Sequence, residues 1–361
     1  MIVTESKNNN SFNLVRMMAA LFVLVSHSYP LSLGPSEKEP LFSIFGFTLG
    51  GVGVITFFVI SGYFISLSWA RSSGLVDFFC ARFLRIYPGL VVVLCVTAFV
   101  IGPLYTEVSV KEYFSSETTY GYITNNLWLK NIQFGLLDVF EDNVYPGVNG
   151  SLWTLYYEVV LYGLVAVLGY FSIVGNARLF LWFLFVYTVV YILFKFFVLN
   201  SEAAAGLFRT KSLHTWSLPF VVGMSFFQFW SSMRHKLAIV IVLVLLCCLF
   251  YGSNWFLEAF IIAWCFVVFL VGFATSKVSR FYNRLGDYSF GVYIYAFPIQ
   301  QIIAHHFPLV QPVQMITLAF PLSLLAALVS WHLIEKPCMR YRGGLANLLK
   351  APRAVLKKRR L

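Results

Sequence analysis

The residues of this chain that can do chemistry stand out because so little around them is charged. His27 lies eleven residues after Arg16. On a helix that spacing returns to nearly the same stripe, about 20° apart, and sets the two roughly 16 Å apart along the axis. An ionisable group inside a membrane span is costly, and the face it shares with Arg16 favours a functional role for His27. The plainer reading is a histidine bonded to a neighbouring helix. Glu158 closes the run Ser151-Leu152-Trp153-Thr154-Leu155-Tyr156-Tyr157-Glu158, with Ser151 seven residues back on its own stripe. A carboxylate and an imidazole at one depth form an acid/base pair if their helices adjoin. The plainer reading pairs Glu158 with Lys195 or with a backbone group. Arg82 and Arg85 sit three apart in Phe78-Phe79-Cys80-Ala81-Arg82-Phe83-Leu84-Arg85-Ile86-Tyr87-Pro88, read as an inner loop. Two guanidiniums among aromatic rings suit phosphate groups and an adenine ring, although membrane topology alone also puts arginines there. Ser61-Gly62, within Phe57-Phe58-Val59-Ile60-Ser61-Gly62-Tyr63, permits close helix approach or a kink.

The elements that position these residues follow from composition. The chain has 361 residues, 59% hydrophobic and 11% charged, against about 25% charged in soluble domains. It holds 38 Phe, 20 Tyr and 9 Trp, far too many for an unfolded chain. A membrane-crossing helix needs roughly 20 apolar residues. Stretches that satisfy this predict an all-α, polytopic membrane protein of about ten helices. They fall near 12–34, 45–70, 87–105, 151–172, 178–199, 213–231, 237–251, 255–275, 288–306 and 313–334. With both termini cytoplasmic, twenty of the 26 Lys and Arg fall on the inner side, as the positive-inside rule requires. The first span is read as a retained signal anchor, being too long for the apolar region of a cleaved signal peptide. Residues 335–361 form a basic cytoplasmic tail attracted to anionic lipid. The whole of 1–361 is read as a single membrane domain, whose chemistry sits among helices or on short loops. The longest loop, Thr106–Gly150, is too short for a conventional domain. There is no Walker A sequence and no Gly-x-Gly-x-x-Gly, and the six Cys form neither Cys-x-x-Cys nor a metal-ligand spacing. No metal and no nucleic-acid partner is expected.

At these residues the sequence resembles the acyltransferase 3 family of integral membrane acyltransferases, which includes bacterial polysaccharide O-acetyltransferases. The family's Arg-x10-His is Arg16 to His27. Its Phe-Phe-x-x-Ser-Gly-Tyr/Phe is Phe57 to Tyr63, and its Arg-x-x-Arg-Ile-x-Pro is Arg82 to Pro88. Its Leu-Trp-Ser/Thr-Leu-x-x-Glu is Leu152 to Glu158, which brings in Trp153. Its Ser-x-x-x-Tyr of the ninth span is Ser289 and Tyr293, and its closing Glu-Lys-Pro is Glu335-Lys336-Pro337. Each string is weak alone; six in order over ten spans are specific. One departure stands out. Many members carry a His three residues after that Tyr, and here the position is Ala296.

The resemblance implies an O-acyltransferase of the bacterial inner membrane, with acyl-CoA, most often acetyl-CoA, as co-substrate. It implies a glycan acceptor: a polysaccharide, an exopolysaccharide or a lipid-linked oligosaccharide. Arg82 and Arg85 would then take the CoA phosphates, with Arg16 at the mouth, and the pantetheine arm would reach His27. His27 has two candidate roles, as general base toward the acceptor hydroxyl or as the group that carries the acetyl itself. Glu158 would orient His27 or relay its proton. Ser61, Gly62, Ser151, Trp153, Ser289 and Tyr293 are read as substrate or structural positions. A glycan transporter or flippase using His27 and Glu158 as a proton relay is the alternative class. A glycan polymerase would need a larger outer loop. Acceptor identity and oligomeric state stay open at this point.

Overall fold

The computed structural model describes residues 10–199 and 208–349. Apart from one bridge between Thr106 and Val139, its regular structure is helical. The elements are α1 (Phe12–Leu33), a short α2 (Phe42–Phe45), α3 (Leu49–Arg71), α4 (Leu75–Val96), α5 (Gly102–Tyr105), α6 (Val110–Ser115), α7 (Glu117–Trp128) and α8 (Trp153–Tyr170). There follow α9 (Ala177–Phe194), α10 (Phe208–Phe229), α11 (Lys236–Leu249), α12 (Phe256–Phe273), α13 (Lys277–Leu285), α14 (Ser289–His306), α15 (Pro312–Ser330) and α16 (Lys336–Arg340). Turns of π-helix at Thr97–Ile101, Lys195–Leu199 and Trp331–Glu335 prolong α4, α9 and α15.

Seven of these helices are long and apolar enough to cross a bilayer. They run over Phe12–Leu33, Leu49–Arg71, Leu75–Tyr105, Trp153–Tyr170, Ala177–Val198, Phe256–Phe273 and Pro312–Arg340. The chain is therefore a multi-pass membrane protein. Its α9 presents Leu181, Trp182, Phe185, Val186, Val189 and Val190 uncovered, a surface suited to lipid rather than water. Three further helices occupy the remaining segments expected to cross. α11 is apolar but only 14 residues long, α10 carries Arg209, Lys211 and His214, and α14 carries two glutamines and two histidines.

Two boundaries differ from the sequence expectation. The segment read as an inner loop from Phe78 to Pro88 is the first half of α4, which begins at Leu75, directly after Gly74 with φ of 142°. Charge marked it as a loop, but arginines spaced three apart sit on one helical face, and Pro88 is absorbed inside the helix. The 106–150 segment is also partly helical. α6 and α7 start there on the side chains of Ser109 and Ser116, which accept the amides of Glu112 and Thr118.

The described residues fall into two compact units. One is drawn from Met1–Val54, Phe79–Tyr156 and Thr275–Leu361, the other from Ile55–Phe78 and Tyr157–Ala274. In the first, α1, α14 and α15 pack on one another. α14 is buried on nearly every face, from Ser289 through Ala304. Gly291 makes that possible, because a Cβ there would lie 2.7 Å from the Ala327 Cα of α15. In the second unit, α3 and α10 cross at paired glycines. A Cβ on Gly62 would strike the Phe220 carbonyl, and one on Gly223 the Val59 carbonyl. Beside this crossing, Tyr63, Phe226, Trp230, Phe269 and Phe273 form a continuous aromatic cluster.

Candidate functional site

In the first unit, Arg16 on α1 and Arg85 on α4 converge on one carboxylate oxygen. Arg16 Nη1 donates to Asp287 Oδ2 at 2.8 Å and Arg85 Nη2 donates to the same oxygen at 2.6 Å. The other oxygen, Oδ1, accepts the Ser289 hydroxyl at 2.5 Å and the Ser289 amide at 3.3 Å, which seats the carboxylate on the first turn of α14. Burial alone would push the Asp287 carboxyl up, but the two guanidiniums and Ser289 outweigh it and hold it below the usual carboxylate range. Arg85 also lies 3.7 Å from Glu335 Oε2, and its guanidinium sits 5.6 Å from the centre of the Trp331 ring. Glu335 is fully buried and accepts the Ser330 hydroxyl at 3.0 Å. Asp287 is thus the centre of a cluster of two guanidiniums and two carboxylates. Arg82, one turn before Arg85, is partly exposed.

His27 lies eleven residues along α1 from Arg16 on an unbroken helix, about 16 Å away by helical rise. Its neighbours on α1 are both anchored. Ser26 donates to Glu39 in the α1–α3 connection, and Ser28 donates to the Leu24 carbonyl at 2.9 Å while accepting from Gln300 of α14. Burial pushes the Glu39 carboxyl up, against the lowering effect of Ser26 and Thr48. The His27 ring meets Phe297 of α14 edge-on at 5.3 Å. Its Nδ1 is buried without a hydrogen-bond partner among the described residues. Tyr293, one turn before Phe297, shares a 2.6 Å hydrogen bond with Thr154, next to Trp153 at the start of α8. Ser151 is buried; its amide donates to Asn149 Oδ1 at 3.0 Å, and its hydroxyl has no partner among the described residues. Asn149 in turn donates to the Ile294 carbonyl at 3.0 Å, so α14 fixes the approach to α8.

In the second unit, Glu158 Oε1 accepts from Ser61 at 3.2 Å and from Tyr162, one turn further on α8. Ser61 and Glu158, from separate motifs, are brought together, and Gly62 beside them serves the α3–α10 crossing. Lys195 does not pair with Glu158. It pairs with Glu258, donates to the Asn254 carbonyl at 2.6 Å and covers the Trp255 ring at 4.2 Å. The reason is position: Lys195 lies at the end of α9, where the start of α12 supplies its partners.

Sequence reasoning missed Asp287, Gln300 and Tyr162. Asp287 lay among inner-side charges, where one more carries no signal. Its spacing two before Ser289, at a helix start, was the available clue. No group of three or more His, Cys, Asp or Glu among the described residues is arranged to hold a metal.

A family model described as an acyltransferase domain matches residues 9–334. The chain is 32% identical over 339 residues to the "O-acetyl transferase" of Shigella phage Sf6, covering 91% of this chain and 95% of that protein. It is 31% identical over 164 residues to "Nodulation protein 10" of Rhizobium leguminosarum bv. viciae, covering 44% of this chain and 43% of that one. No solved structure matches significantly. A family model spanning nearly all the helices, with a relative similar along almost its full length, establishes that the chain belongs to the acyltransferase 3 family and is a membrane acyltransferase.

Proposed function

We propose that this protein moves an acetyl group from cytoplasmic acetyl-CoA to a hydroxyl of a cell-surface or lipid-linked glycan, in a bacterial inner membrane. The observation that carries this reading is α1 itself. One rigid helix holds Arg16 in a charged cluster at one end and His27, with a ring nitrogen unpartnered among the described residues, about 16 Å further on. CoA is a polyanion that cannot enter lipid, whereas its pantetheine arm is long and thin enough to cover such a distance. Arg82, Arg85 and Arg16 would receive the phosphates, and the arm would bring the thioester to His27. The name of the phage relative supports acetyl as the group moved.

Asp287 refines the donor end. A guanidinium has five N–H donors, and Asp287 occupies one from each arginine. It offsets the repulsion between them at the end of α1 where the phosphates would arrive. With His27 as base, the acceptor oxygen bonds to the thioester carbonyl carbon and the carbon–sulfur bond breaks. The hydroxyl proton passes to His27 and then to the departing thiolate, which leaves as free CoA. With His27 as acyl carrier, the same bonds change in two steps. Glu158, whose Oε1 accepts from Ser61 and Tyr162, is kept as an acid/base candidate. Ten spans forming one membrane domain, with both termini cytoplasmic, complete the reading.

The test is a deletion strain complemented with wild type or His27→Ala, with O-acetyl signals in the surface glycans read by NMR. Wild type restores the signals and His27→Ala, inserted in equal amount, does not. Near-wild-type acetylation by His27→Ala would sink the assignment.

A further inference from the structure

α14 carries two adjacent buried glutamines that are used differently. Gln301 is saturated. Its Nε2 donates to the carbonyls of Tyr145, at 2.8 Å, and Gly147, and its Oε1 accepts from Asn143 at 2.8 Å. Gln300 is half used. Its Nε2 donates to the Leu24 carbonyl at 2.9 Å and to Ser28 Oγ at 2.7 Å. Ser28 commits its own proton to Leu24, so it offers Gln300 only lone pairs. The Leu24 carbonyl sets the amide's orientation: turned over, its oxygen would face that carbonyl oxygen. Gln300 Oε1 is therefore a buried acceptor with no donor among the described residues. Such a group is costly, and a fold retains it where something else supplies the proton.

It is not alone. His27 Nδ1 and Ser151 Oγ are likewise buried and unpartnered among the described residues. Leu24 and Ser28, the anchors of Gln300, bracket His27 on α1. Phe297, one turn before Gln300, touches the His27 ring. It also lies so close to Gly150, the residue before Ser151, that a Cβ there would be 2.5 Å from it.

The geometry points to Gln300 as an acceptor-binding residue: its Oε1 accepts a hydrogen bond from a carbohydrate hydroxyl adjacent to the one that reacts at His27. This rests on the acyl-transfer reading. The reacting hydroxyl gives its proton to His27, so Gln300 needs a second hydroxyl, which a vicinal diol of a sugar supplies and a lone alcohol does not. Gln300 takes no proton itself. The competing source of a donor is an amide N–H of the pantetheine arm, and the experiment separates the two.

Membrane vesicles from a deletion strain complemented with full-length protein are given acetyl-CoA labelled in its acetyl group. Label in glycan is counted, and acetyl-CoA affinity is measured on detergent-purified protein. Gln300→Leu should lower glycan labelling about tenfold, as expected for a lost substrate hydrogen bond, with acetyl-CoA affinity unchanged. Ser28→Ala, which frees one anchor but keeps the oxygen, should lower it severalfold. Wild-type labelling by Gln300→Leu overturns the inference, and so does a parallel loss of acetyl-CoA affinity, which would give the hydrogen bond to pantetheine. If Gln300→Leu does not yield monodisperse protein, Ser28→Ala decides: severalfold loss supports the inference and wild-type labelling overturns it. Wild-type vesicles that label no glycan would instead sink the acyl-transfer reading.

Discussion

At the scale of single residues, Asp287 carries the heaviest electrostatic duty. Two guanidiniums share its Oδ2, and Ser289 holds its Oδ1. Removing this carboxylate takes the shared partner from Arg16 and leaves Arg85 with Glu335 at 3.7 Å, which costs up to about 3 kcal/mol. Because the folded Asp287 carboxyl is held below its ordinary value, its stabilisation is present in full above the unfolded pKa of about 3.9. It is lost as pH falls through the lower folded value. Asp287→Asn should thus unfold earlier than wild type at pH 7, and the gap should close on acidification below about pH 3.9. Thermal unfolding of the detergent-purified proteins across that range checks it; a gap indifferent to pH would show that charge is not what Asp287 contributes. His27, Glu158 and the arginines were legible in the sequence because each interrupts or borders an apolar run. Asp287 and Gln300 were not. The first hides among expected charges, and the second is uncharged and reveals itself only through which of its atoms lacks a partner among the described residues.

At the scale of elements, helix existence was legible almost everywhere and helix ends less so. α4 begins at Leu75 because arginines on one face do not interrupt a helix, although they interrupt an apolar count. Ser61-Gly62 allowed either a kink or close approach, and the structure resolves it as approach: Gly62 and Gly223 bring the α3 and α10 backbones together. The atoms a new methyl would meet there are backbone carbonyls, which cannot swing aside. Gly62→Ala and Gly223→Ala should each cost about 1–3 kcal/mol through overpacking. The double variant should cost less than the sum, since the first substitution already parts the helices. Gly163 of α8 has nothing within 4 Å of where its Cβ would be, so Gly163→Ala should stay within about 0.5 kcal/mol of wild type. Unfolding midpoints of the four proteins make the comparison; additive losses, or a loss at Gly163 equal to the others, would refute the crossing as the cause.

At the scale of the molecule, the ten-span reading turns on α11. Its 14 residues span about 21 Å, short of a hydrocarbon core about 30 Å thick. Phe250 and Tyr251 add apolar length before the turn at Gly252, which takes the positive φ of 77° that such a reversal needs. A short span is met by local thinning of the bilayer at modest cost. The alternative is worse. If α11 does not cross, everything after it inverts, and Lys277, Arg280, Arg284 and the basic residues from Lys336 onward move to the outer side. That breaks the charge rule that the rest of the chain obeys. Reporter fusions decide between these. Alkaline phosphatase joined after Ser253 should be active, because that enzyme folds only outside the cytoplasm. The same enzyme joined after Met233 or Leu285 should be inactive, while a fluorescent protein joined after Leu361 should fluoresce. Inactive phosphatase at Ser253 combined with active phosphatase at Leu285 would remove α11 from the count, place the C-terminus outside and overturn the proposal that Arg85 and Asp287 meet a cytoplasmic donor.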